Sequence, residues 1–220
     1  MLFDRGQKHE LQHERIVFFS DAVFAIAITL LIIEVKVPHL EHGATNRDFI
    51  ISLINLLPNL VGYFFSFFVI GAYWIGHHRI YGMIVDWDYG LLWRNIYFLM
   101  SIAFMPFVTA FFSEYPAEFV PLALYSLTFA IAGILEIMQY RYAYQRNLVD
   151  PSITERDYKY YVWRMSVLPL TGLAAVAVGA AAKPIYAGIA FMFIPLAYRV
   201  IRYKFNNVEA AEESSAQENT

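Results

Sequence analysis

Residues 15–34, RIVFFSDAVFAIAITLLIIE, decide the fold. Between Arg15 and Glu34 only Ser20, Asp21 and Thr29 are polar, and the run has the length needed to cross a hydrocarbon core about 30 Å thick. Working outward from it, further mostly apolar stretches follow, giving six segments at about 16–37, 50–75, 91–112, 119–140, 162–182 and 185–203. Lipid offers backbone polar groups no partner outside the segment, and these runs lack the period-two alternation of barrel strands, so each reads as a helix. The expectation is an all-α polytopic membrane protein, with six transmembrane helices in residues 1–204 and a short disordered polar tail over 205–220.

Composition agrees. The 220 residues are 59% hydrophobic and 16% charged, against about 25% charged in soluble domains, so polar residues are too few to clothe a soluble surface. The lipid bilayer is the expected partner. A net charge of -3 provides no broad basic footprint, so no nucleic-acid partner is expected. With no cysteine, the chain makes no disulfide, zinc ribbon, iron–sulfur cluster or thiol nucleophile. The N-terminal MLFDRGQKHELQHE carries both signs of charge and no small-residue cleavage site, so it does not read as a secretory signal and is expected to be retained.

Loop charges give the orientation. The N-terminus, the second and fourth loops and the C-terminus hold 13 of the 16 Lys and Arg residues, and the opposite side holds Lys36, Arg47 and Lys183, which places both termini in the cytoplasm. Trp87, Trp93 and the tyrosines around the fourth loop read as interfacial anchors. The link Ala181-Ala182-Lys183-Pro184 is tight enough to make the last two segments an antiparallel hairpin, or one segment that dips and returns.

Asp21 is the anomaly of the first segment. A carboxylate at that depth costs about 2.5–3.5 kcal/mol on insertion scales and faces a bundle interior, a partner or water. Topology brings Ser20, Asp21, His77, His78 and Asn95 to similar depth, within about 10 Å of the inner interface, close enough for a buried hydrogen-bond network. Such a network pins three helices together; proton relay and metal binding are its other readings. Beyond it, Ala22, Ile26, Thr29, Leu30 and Ile33 recur at spacings of three and four and share one stripe. The stripe reads either as packing against neighbouring helices or as the lining of a pore with a hydrophobic constriction.

Two apparent motifs carry less. Val61-Gly62-Tyr63 echoes part of a potassium filter, but Leu60 and Phe64 stand where Thr and Gly are needed, and Gly62 with Ser66 reads better as a small-residue helix contact. His77 and His78 invite a haem or membrane-enzyme reading, yet the other histidines, His9, His13, His39 and His42, lie in the tail and first loop, so no second buried pair exists to complete a haem site within one chain. Phosphate loops, nucleophile elbows and metalloprotease motifs are absent, and neither an enzyme, nor a cofactor, nor a tightly bound metal is expected.

The pattern Arg15-x-x-x-Phe19-Ser20-Asp21 followed by AVFAIAITLL, with Trp74-x-x-His77-His78 in the second segment and Leu92-Trp93-x-Asn95 and Pro106-Phe107-x-Thr109 in the third, resembles the transmembrane protein 175 type of potassium channel. The departure is Ala22, where many members carry Gly. The resemblance implies a homotetramer of six-helix subunits in a prokaryotic cell membrane, conducting potassium passively through a central pore lined by helix 1. It implies a constriction at Ile26, a polar position at Thr29, further lining at Leu30 and Ile33, and transient potassium near Ile26 and Thr29. It also implies that Arg15, Ser20 and Asp21 bond with Trp74, His77 and Asn95. Glu34, near the outer end of helix 1, reads either as a ring of carboxylates at the pore entrance or as a solvated interfacial residue. A proton or nonselective cation pathway is the alternative within channels.

Overall fold

The computed structural model describes residues 5–205, with side chains from Leu11 onward. The polar tail expected beyond Phe205 lies outside the described residues. The helices are α1 (Arg5–Ile33), α2 (Asn46–Asn55), α3 (Leu57–Met83), α4 (Tyr89–Glu114), α5 (Phe119–Gln145), α6 (Glu155–Met165), α7 (Val167–Ala181) and, after a 3-10 turn at Pro184–Ala187, α8 (Gly188–Met192). A last helical stretch, here α9, covers 194–205. Taken as continuous rods, six helices among the described residues are long and apolar enough to cross a membrane: Leu11–Ile33, Leu57–Met83, Tyr89–Glu114, Phe119–Gln145, Glu155–Ala181 and Pro184–Phe205. The protein is therefore an all-helical, multi-pass membrane protein.

Proline accounts for the places where rods divide. Pro58, Pro169 and Pro195 have no N–H for the carbonyl four residues back, and the helix yields nearby at Leu56, Ser166 and Phe193. Pro106 sits inside α4 without dividing it. Helices also run past the ends that hydropathy marks: α3 continues to Met83, which puts His77, His78 and Arg79 on helix rather than loop.

The bundle is built on α4 and α5, with α7 against α5, and α1 laid across α3 and α4. Its central core joins Phe24 and Leu31 of α1 to Ile70 and Tyr73 of α3, Phe98 and Ile102 of α4, and Phe129 of α5. A second core lies under the loops at one end and includes Ile16, Ile80, Leu91, Tyr140 and Leu148. At that end a short ladder ties two loops: Val85 N–H donates to Leu148 O at 2.9 Å and Asp150 N–H to Met83 O at 2.8 Å, around the Ile84–Val149 bridge. The α3–α4 contact is close because Gly62 faces Ser113 and Thr109, where a Cβ would run into the Ser113 hydroxyl. Ser66, one turn on, accepts from Thr109 Oγ1 at 2.9 Å and pairs with the Tyr125 hydroxyl at 2.8 Å.

Candidate functional site

Helix α1 has two unlike faces. Ile16, Ser20, Phe24, Ala27 and Leu31, spaced four, four, three and four apart, are all buried against the subunit's other helices. On the other side Ile26, Leu30 and Ile33 are 59%, 41% and 60% exposed, and Ala22 and Thr29 are exposed with them. The stripe seen in the sequence thus belongs to the surface of α1 that the subunit leaves uncovered, which also includes Phe18, Phe19, Ala25 and Ile32. The Thr29 hydroxyl donates back to its own helix, 2.9 Å from both Ala25 O and Ile26 O, leaving its lone pairs on the open face. Glu34 follows the last residue of α1 and is half-buried.

A polar cluster holds α1 in this rotation. Asp21 Oδ1 accepts from Trp74 Nε1 of α3 at 2.8 Å. Ser20 donates to Ile16 O at 2.9 Å and accepts from Asn95 Nδ2 of α4 at 2.9 Å. With its amide nitrogen committed to Ser20, Asn95 turns its Oδ1 to His77 Nε2 at 3.0 Å, so that ring nitrogen is the donor. His77 is also stacked against Phe98 and Tyr81 at centroid distances of 5.5 and 4.4 Å. Ser20, His77 and Asn95 are buried and satisfy one another, as buried polar groups must, since a group left unpaired forfeits its hydration without return, while the Asp21–Trp74 bond lies at the exposed edge of the cluster.

Ser20, Asp21, Trp74, His77 and Asn95 therefore come together from three helices. Arg15 does not join them: it is exposed and donates no hydrogen bond to the cluster among the described residues. His78 is exposed as well and stacks on Trp74 at 5.5 Å, so His77 and His78 face different surroundings and do not form a pair. Among the described residues no three His, Cys, Asp or Glu side chains gather as for a metal ion.

Sequence reasoning missed the contribution of α5. Gln139 Nε2 reaches Asn95 Oδ1 at 3.4 Å and the Tyr81 hydroxyl at 2.6 Å, and Glu136 lies one turn away, buried. The signal was present. Both are polar residues inside the apolar run 119–140, and the reasoning that singled out Asp21 applies to them unchanged.

The loop end carries a second anchor. Asp88 caps α4, accepting from Leu91 N–H at 2.7 Å and from the Tyr142 hydroxyl at 2.7 Å. Desolvation pushes the Asp88 carboxyl up, but the Leu91 N–H, the Tyr142 hydroxyl and the nearby Arg146 together hold it below the ordinary aspartate value. The Arg94 guanidinium lies 3.8 Å from the centre of the same Tyr142 ring.

The comparisons with known proteins cover this region. The family model described as endosomal/lysosomal potassium channel TMEM175 matches residues 15–106, which includes α1 from Arg15 onward, α3 and the anchor cluster. A protein of Streptomyces collinus named as a potassium channel is 30% identical over 92% of this chain and 96% of its own length. One of Chamaesiphon minutus, also named as a potassium channel, is 41% identical over 46% of this chain, a match that spans about half (49%) of that relative. The human protein named endosomal/lysosomal proton channel TMEM175 is 25% identical over 84% of this chain and 35% of its own length. Among solved structures, a TMEM175 homologue from Chamaesiphon minutus, described as a lysosomal potassium-selective channel homologue, superposes with a TM-score of 0.68 at 27% identity, covering 89% of this chain and 96% of that one. From the full-length match to the Streptomyces relative, together with the family model over the anchored helices, it follows that this chain belongs to the TMEM175 family of ion channels, not to a family of enzymes.

Proposed function

We propose that the protein is a potassium channel in the cell membrane of a prokaryote, with both termini in the cytoplasm, built as a homotetramer whose central pore is lined by α1. The observation that carries this reading is the outward stripe of α1. An aliphatic face is left open by the subunit's own helices while a five-residue polar cluster on three helices sets its rotation. Around a four-fold axis that face supplies an apolar ring at Ile26, hydroxyls at Thr29 and further apolar lining at Leu30 and Ile33. Glu34, just past the helix, is placed to gather cations at the outer mouth.

A ring of four isoleucines offers a passing cation no lone pairs, so the ion sheds part of its hydration there against little return. The barrier is then set by ring diameter and by the nearest hydroxyls. Potassium, which holds its water less tightly than sodium, passes more readily. The bilayer, the permeant potassium ion and the other subunits are the partners this mechanism needs.

Potassium flux from liposomes reconstituted with the purified protein tests the reading. Ile26→Asn places a polar ring at the constriction and is expected to change conductance or the potassium-to-sodium ratio by about tenfold, equivalent to about 1.4 kcal/mol of barrier. Unchanged flux and selectivity remove Ile26 from the path. Subunit mass in detergent is the companion measurement: a stable monomer leaves α1 nothing to enclose. Proton conduction is the second reading, favoured by the name of the human relative. Reversal potentials under opposed potassium and proton gradients separate the two.

A further inference from the structure

Glu136, on α5, is only 2% exposed, and its Oε1 has no hydrogen-bond partner among the described residues. It lies against Gly76 of α3, whose missing side chain makes the room for the carboxyl group. A carboxyl removed from water without a donor is costly, and nothing in the anchor cluster of α1 uses it. Beside it opens a cavity of about 240 Å³ between α3, α5, α6, α7 and α9, whose lining includes Ile75, Arg79, Tyr161, Arg164 and Tyr198. Arg79 is exposed and Arg164 half-buried, with the Arg164 guanidinium 4.9 Å from the centre of the Tyr198 ring. Neither arginine forms an ion pair among the described residues, and neither comes within ion-pair distance of Glu136.

The cavity thus presents two guanidiniums without an ion-pair partner, that of Arg164 lying over the Tyr198 ring, and, deeper, an acceptor without a donor. Guanidinium is the side-chain group whose fork matches phosphate oxygens, and basic pockets between membrane helices take phosphorylated lipid headgroups. The spacing narrows the ligand. Glu136 sits at the level of Gly76, and Arg79 is three residues nearer the helix end, about 4.5 Å along the axis at 1.5 Å per residue. The group that binds Glu136 therefore lies just below the phosphate, toward the bilayer centre. In a glycerophosphate that position belongs to the hydroxyl on the carbon next to the phosphorylated one, which is free in a monoacyl lipid acylated at the far carbon and esterified in a diacyl lipid. The remaining wall, with Ile75 and Leu168, is apolar and suits the start of an acyl chain.

We propose that this cavity binds a monoacyl glycerophosphate, its phosphate held by Arg79 and Arg164 and its free glycerol hydroxyl donating to Glu136. The site is independent of the pore reading and stands or falls by binding alone. Full-length protein in detergent is titrated with 1-oleoyl lysophosphatidate, dioleoyl phosphatidate and glycerol 3-phosphate, following bound lipid by native mass spectrometry and the thermal unfolding midpoint. The wild type is expected to bind the monoacyl lipid at least about tenfold more tightly than the diacyl lipid, and glycerol 3-phosphate not measurably. Glu136→Leu is expected to abolish that preference, and the double variant R79Q/R164Q to weaken both lipids at least about tenfold. R79Q alone, at an exposed position, serves if the double variant does not fold. Equal binding of the two lipids by the wild type overturns the role of the hydroxyl and Glu136. Glycerol 3-phosphate binding as tightly as the lipid overturns the lipid assignment, and arginine variants that bind like the wild type overturn the phosphate site.

Discussion

The first and last membrane helices make an instructive pair. Both lie at the edge of the subunit and both leave large apolar side chains uncovered: Ile26 and Ile33 on α1, Leu196 and Val200 on α9. They differ in what holds them. Helix α1 is tied through Ser20 and Asp21 to Asn95 and Trp74, and it sends Phe24 and Leu31 into the central core. Helix α9 contributes only partly buried side chains such as Ile194 to that core, and its firmest polar tie is Arg156, which donates to Phe205 O at 2.6 Å at the helix end. An uncovered apolar face is what lipid requires of any outer helix. Buried polar anchors that fix rotation to within one residue are an added cost, and they are expected where the direction of a face matters.

The comparison breaks first at its centre. Asn95→Leu leaves the buried His77 Nε2 without its acceptor and takes from Ser20 its tie to α4, leaving only the Ser20 bond to Ile16 O, and should cost about 2 kcal/mol. The measurement is the unfolding midpoint in detergent together with loss of liposome flux, and an unchanged midpoint denies the cluster its anchoring role. Of similar size, Gly62→Val drives a side chain into Ser113 and should cost about 2 kcal/mol through forced separation of α3 and α4. Tolerance there would mean the two helices are looser than the cluster requires.

Asp88→Ala removes the cap of α4 and should cost about 1 kcal/mol near neutral pH. The folded-state carboxyl is held below its unfolded value, so this contribution is full above the unfolded aspartate range and is lost as pH falls through the lower folded value. The difference in stability between wild type and variant should therefore shrink in acid, and a difference that grows there contradicts the assignment. Smallest in stability are Ile26→Asn and Leu196→Asn, each on an uncovered face and each expected to shift stability in detergent by no more than about 0.5 kcal/mol. They sharpen the contrast through function: only the α1 change is expected to alter ion flux. Equal effects on flux would erase the distinction between the two helices.

Much of this was legible beforehand because membrane burial leaves a coarse and strong signature. Six apolar runs of spanning length announce six helices, since lipid permits the backbone little else, and a carboxylate at Asp21 announces a partner because an unpartnered one is too costly. Depth alone brought Ser20, Asp21, His77 and Asn95 to one level. What depth does not give is azimuth. His77 and His78 are adjacent in sequence and equal in depth, yet one is buried against Phe98 and the other is exposed beside Trp74, a difference of a single helical step. Gln139 and Glu136 stand out in the sequence as polar residues of an apolar run, and azimuth decides what each meets: Tyr81 for Gln139 and Gly76 for Glu136.

The sequence by itself determined the helical class, the number of crossings and the depth of each polar residue, because these follow from hydropathy summed along a chain in a slab of known thickness. The tertiary structure alone decided which residues of α1 stay uncovered, that Arg15 stands outside the cluster, and that Glu136 lines one cavity with Arg79 and Arg164. The physical reason is that rotation about a helix axis costs almost nothing in lipid. It is set by a few directional hydrogen bonds and close contacts between residues far apart in the chain, and those distances appear only once the helices are packed.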